Sequence, residues 1–182
     1  STIIKCIVAI SLLVFFTSTL ACEHTKAARN LRADTESPPA QQLASLDRRE
    51  PVPLIPMMAL HQKENMRDHL VVIQEIVAAL AAEDFDAVQR SASRISFSPQ
   101  VAQMCAHMGA GAAGFTQMGI AFHATADTII DAAKRKDLAG TLKALNATIG
   151  TCTTCHDRFR QEVVTEQRWQ DLTDAPIPSH PH

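Results

Sequence analysis

The chain has 182 residues, 46% of them hydrophobic, enough for one modest core and too few for two large domains. Aromatic residues make up only 4%, Tyr is absent and Ala is abundant, a composition poor in strand formers and well suited to helices. With 17 Lys and Arg against 19 Asp and Glu the formal charge is −2, which argues against nucleic acid as a partner, and no phosphate-binding glycine loop, nucleophile elbow or His-Glu-x-x-His motif occurs.

Ser1 to Cys22 carries one basic residue, Lys5, then the apolar run Cys6 to Phe16 and then small residues, the layout of a secretory signal peptide over 1–21. The run is shorter than the ~20 residues a membrane span needs. Ala21-Cys22 offers a cleavage point after which Cys22 is a candidate for lipidation, with plain cleavage as the alternative, so any membrane association is expected through Cys22 alone. Residues 22–55 are polar and proline-rich, with Ser37-Pro38-Pro39 and Pro51-Val52-Pro53, and read as a flexible tether. Residues 169–182 read as a flexible tail.

Between these ends, apolar residues recur at spacings of three and four. Helix A follows Pro56, with a stripe of Ala59, Gln62, Met66, His69/Leu70, Ile73, Val77 and Leu80. Asp84 caps helix B, which carries Phe85, Val88, Ala92 and Ile95 on one face. Ser98-Pro99 starts a short extra helix bearing Met104, Cys105 and Met108, which Gly109 ends. Helix C presents Phe115, Met118, Phe122, Thr125, Ile129 and Ala132. Helix D runs from Asp137 through Leu138, Leu142, Leu145, Ile149, Cys152, His156 and Phe159 to Val163. Short A–B and C–D links predict an all-α domain over 56–168, an antiparallel up-down-up-down four-helix bundle with the short extra helix between B and C; a crossover in the longer B-to-C link is the alternative.

Cys152-Thr153-Thr154-Cys155-His156 is the motif of covalent haem attachment, in which two thiols add to vinyl groups and the next imidazole binds iron. On a helix the three side chains fall on one face, so one flat macrocycle can meet all of them. From the chain's 5 Cys and 8 His a chance match is expected about 0.006 times. A thioredoxin-like pair would need a βαβ setting, and a structural zinc site a fourth ligand nearby; neither is present in the sequence. One covalent haem c, with His156 as proximal ligand, is the expectation.

With Asp157-Arg158-Phe159-Arg160 following on the last helix of a bundle, the chain resembles the class II c-type cytochromes, the cytochrome c′ family, over about Ile55 to Val164. The resemblance implies a periplasmic haem protein that transfers electrons or binds small gases. The second iron ligand is sought by height. His156 is placed about ten residues, roughly 15 Å, before the expected end of helix D, and Met66 about nine residues, roughly 14 Å, into helix A. Asn65-Met66-Arg67-Asp68 also resembles the ligand turn of low-spin class II members. An open distal side, His69 and Cys105 remain as alternatives to Met66. Phe115, Met118 and Phe122 are expected to line the pocket, His123 to be a partly exposed helix histidine with a place at the pocket or a propionate as the alternative, and Arg158 and Arg160 to pair with haem propionates.

Two functions follow. The first is single-electron transfer with redox partner proteins, through His156/Met66 ligation. The second is binding or sensing of NO or CO at five-coordinate iron beneath an apolar wall. No enzyme activity is expected beyond weak peroxidase-like chemistry, for which His69 with Arg67 or Asp68 gives the one hint. A homodimer is compatible with either function.

Overall fold

The computed structural model describes residues 38–173; the signal peptide expected over 1–21, Cys22 with the first part of the expected tether, and the chain from residue 174 onward lie outside the described residues. The chain divides into two units, 1–48 and 49–182. In the first, α1 (Pro39–Leu46) starts on a proline, which suits the first helical turn, and buries none of its residues.

In the second unit the order is β1 (Glu50–Leu54), α2 (Pro56–Ala81), α3 (Phe85–Ser93), α4 (Pro99–Met108), α5 (Phe115–Lys134), α6 (Leu138–Arg158), β2 (Phe159–Val163) and α7 (Glu166–Thr173). Mostly helical structure therefore follows the composition. Two tight turns of the same design join α2 to α3 and α5 to α6. In each a non-glycine residue takes the left-handed region, Glu83 at φ 53° and Lys136 at φ 54°, and the next residue is an aspartate cap: Asp84 accepts from Ala87 N–H and Asp137 from Gly140 N–H, both at 2.9 Å. Among the described residues no helix is long and apolar enough to cross a membrane.

The ends of the unit differ from expectation. The segment read as a tether to residue 55 supplies β1, which pairs in parallel with β2 in the register Glu50↔Phe159 to Leu54↔Val163, and Val52, Leu54 and Ile55 are buried. Pro51 and Pro53 mark a linker in sequence, yet proline is compatible with an edge strand that pairs on one side. Helix D, expected to reach Val163, stops at Arg158 as Phe159 turns to extended backbone at φ −115°, ψ 147°. The reason is its pairing with a strand far earlier in the chain, which local periodicity does not register. The tail expected from 169 is in part α7, whose Trp169 is fully buried.

Two cores result. The first joins Val72, Ile76, Val88, Ala92, Ile95, Ala126, Ile129, Ala133 and Leu145 from α2, α3, α5 and α6 and the turn after α3. The second joins Val52, Leu54, Met58, Met108, Phe159 and Trp169. The helix faces are rotated from the predicted stripes. On α2 the buried row is Met58, Gln62, Val72, Ile76 and Leu80, while Leu70 and Val77 are exposed. The contiguous run Leu70-Val71-Val72-Ile73 fits several phases, and packing chose one. On α6 Thr141 and Thr148 take buried places, each hydroxyl donating to the carbonyl four residues back, Asp137 at 2.6 Å and Ala144 at 3.0 Å. Leu138, Leu142 and Ile149 are left exposed instead.

Candidate haem site

The last turns of α6 bring Thr151, Cys152, Cys155 and His156 to the wall of one cavity of about 670 Å³, counting the part open to solvent. Opposite them α2 contributes Gln62, Asn65, Met66 and His69; α4 contributes Met104, Cys105 and Met108; α5 contributes Phe115, Met118, Phe122 and His123. Most of these side chains are apolar or sulfur-bearing, as a macrocycle buried on both faces requires.

Among the described residues Cys152, Cys155 and Cys105 form no disulfide. Burial pushes all three above the ordinary thiol value, and Cys152 adds its negative influence at Cys155, so each is held protonated. Cys152 Sγ donates to Thr148 O at 3.5 Å, which points it along the inner side of α6. Two thiols one helical turn apart with an adjacent imidazole, facing an apolar hollow, fit a covalently attached haem in donor type and in space.

The family model for cytochrome c′ matches residues 63–160, more than half of the chain. The chain belongs to the cytochrome c′ family. It is accordingly a c-type haem protein, and the family assigns a four-helix-bundle architecture to the helical region. Neither a comparison with curated proteins nor one with solved structures finds a match.

In this cytochrome c′ family chain, Met66, His69, Cys105, Phe115, Met118 and Phe122 all reach the cavity wall. The height argument for Met66 rested on a helix D reaching far past His156, whereas α6 ends two residues beyond it. Met66 and His156 still share the cavity, because β2 takes over the remaining length beside β1. His69 is engaged on both sides: its ring stacks on Phe122 with centroids 4.7 Å apart and meets His123 edge-on at 5.4 Å. Burial, then His123, lower its pKa to about 4 against the opposing pull of Asp68, so the ring is neutral at physiological pH. His123, expected to be partly exposed, is buried and bonded through Nδ1 to Ile95 O at 2.9 Å. A carbonyl only accepts, so Nδ1 carries the hydrogen.

The two arginines expected at the propionates are placed elsewhere. Arg158 pairs with Glu50, donates to Ala113 O and lies over the Phe159 ring. Arg160 stands on β2, its Nη2 3.8 Å from Glu162. Neither lines the cavity. Arg160 is moved because α6 has already ended and a strand sends alternate residues to opposite sides, whereas Arg158, the last helical residue, is held by Glu50 of β1. His107 also turns from the cavity, its ring 5.3 Å from that of Trp169.

Sequence reasoning did not single out Gly119 or Asn65. A Cβ at Gly119 would come within 3.0 Å of Cys105 Sγ, so the glycine permits α4 and α5 to close on the cavity; its signal was a lone glycine inside a helical pattern. Asn65 donates to Met104 Sδ at 3.5 Å and ties α2 to α4 at the cavity wall.

Proposed function

We propose that the protein is a periplasmic c-type cytochrome that carries one haem on Cys152 and Cys155 and transfers single electrons to and from redox proteins, with His156 and Met66 as axial ligands. The observation that carries this reading is that Met66 shares one largely apolar cavity with all three residues of the attachment motif. The haem supplies a redox-active iron. The chain supplies two cysteine sulfurs for attachment, a proximal imidazole, a thioether ligand that favours the reduced state, and largely apolar walls. Its competitors are less suited. The stack on Phe122 and the edge contact with His123 hold the His69 ring in place, and the Cys105 thiol is buried against Gly119. Export rests on the signal-peptide pattern of 1–21, and acylation of Cys22 would hold the protein at a membrane.

A second reading, binding of NO or CO, draws on the same wall of Phe115, Met118 and Phe122 and on a Met66 side chain that is 41% exposed. Optical spectra of the oxidised and reduced protein with and without carbon monoxide separate the two. Met66 ligation gives a low-spin spectrum with a sulfur-to-iron band and slow gas binding. Met66→Ala then raises the spin state, lowers the potential and quickens gas binding. A high-spin wild type that Met66→Ala leaves unchanged excludes electron transfer through Met66 and establishes the gas-binding reading.

A further inference from the structure

Three contacts converge on the last turn of α6 from a part of the chain that precedes the family match at residues 63–160. Arg49 Nη1 donates to the backbone carbonyl of His156 at 3.1 Å. Glu50 holds Arg158 in a two-pronged pair, Nε to Oε1 at 3.1 Å and Nη2 to Oε2 at 3.3 Å. The parallel pairing then starts at once, Glu50 opposite Phe159.

A helix leaves its last carbonyls without intrahelical partners, and these concentrate about half a negative charge at its end. In α6 that end is where the haem motif sits. Phe159 N–H takes the carbonyl of Cys155, and the Arg49 guanidinium takes the carbonyl of His156. A cationic side chain is therefore bonded to the peptide group of the residue whose imidazole faces the cavity. Loss of that guanidinium removes one of the cations at the negative helix end, Arg158 remaining in the last turn, and so favours the more positive, oxidised state of a metal bound there.

We infer that Arg49, at the head of β1, is a positioning residue for His156: it fixes the final turn of α6 and raises the reduction potential of the site by offsetting the helix's negative end. The inference rests on the reading of His156 as an axial ligand. Glu50 acts beside it by keeping Arg158, and with it the start of β2, against β1.

The test uses the full haem-loaded protein with Arg49→Gln, Arg49→Lys and, as a control for loss of a surface cation elsewhere, Lys134→Gln, which removes the partner of Asp131 near the end of α5. In spectroelectrochemical titration Arg49→Gln lowers the reduced-to-oxidised ratio at fixed applied potential at least about threefold, or about 28 mV on a scale of 59 mV per tenfold for one electron. Arg49→Lys restores most of the shift and Lys134→Gln causes little. In amide exchange the Phe159 N–H, bonded to Cys155 O, exchanges at least about tenfold faster in Arg49→Gln, with or without haem, once the amide loses its fixed turn. An unchanged ratio, an equal shift from Lys134→Gln, or an unchanged Phe159 exchange rate overturns the inference. A wild type that takes up no haem ends the reading of His156 instead, and the exchange rates of the haem-free chain then decide whether Arg49 fixes the turn. Should Arg49→Gln fail to fold, Glu50→Gln is measured in its place, and it must speed the same exchange for the inference to stand.

Discussion

Around Ile76, Ile129 and Leu145 the interior is filled with Val, Ile, Leu and Ala from successive helices, whereas around Trp169 and Phe159 it is assembled from a strand pair, a short helix and two methionines. The aliphatic core lies wholly within the residues the family model matches. The second core draws Val52, Leu54, Ile55, Met58, Ala59 and Trp169 from outside them. Small branched side chains interlock there, and this core meets the cavity through Phe122 and Cys152. Methionine and aromatic side chains adapt to irregular space, and Met104, Phe115, Met118 and Cys155 pack against the second core while also facing the cavity. A helical frame within the matched residues thus meets a second core built in part from outside them.

That division can be broken by mutation. Trp169→Ala removes the largest fully buried side chain and should cost about 3–5 kcal/mol. It should speed amide exchange in β1 and β2 before that of α5. Equal acceleration in both would show that the two cores open as one. Ile129→Ala, in the aliphatic core, should cost about 2–5 kcal/mol in denaturant titrations and speed exchange in α5 before that of β1 and β2.

Acidification probes the border between the cores. Because folding holds His69 and His123 below their ordinary pKa, the unfolded chain binds more protons in acid. Stability is therefore full above pH 6.5 and falls as pH drops toward about 4, where His69 titrates in the folded protein. The contribution of His69 is at most about 3 kcal/mol at 1.36 kcal/mol per pH unit, less for a ring that retains some solvent contact. His69→Phe should flatten the slope, and a slope unchanged by it would assign the acid sensitivity elsewhere. The turns should matter least. Asp84→Ala and Asp137→Ala should each lower stability by about 1 kcal/mol, and Glu75→Gln, which loses the half-exposed pair with Arg94, by less than about 1 kcal/mol.

Sequence alone determined what depends on near neighbours. Helix existence, the caps at Asp84, Ser98 and Asp137, and the single face of Cys152, Cys155 and His156 all follow from interactions within about four residues. Tertiary structure decided what depends on distant partners. Phe159 to Val163 became a strand because Glu50 to Leu54 pairs with it, Trp169 became core because His107 and β1 surround it, and Arg158 faced Glu50 because α6 ended there. Local periodicity reports how a segment satisfies its own hydrogen bonds and apolar face. It carries no record of a complementary edge about a hundred residues away, and that edge set both the end of the haem-bearing helix and the residues that hold it.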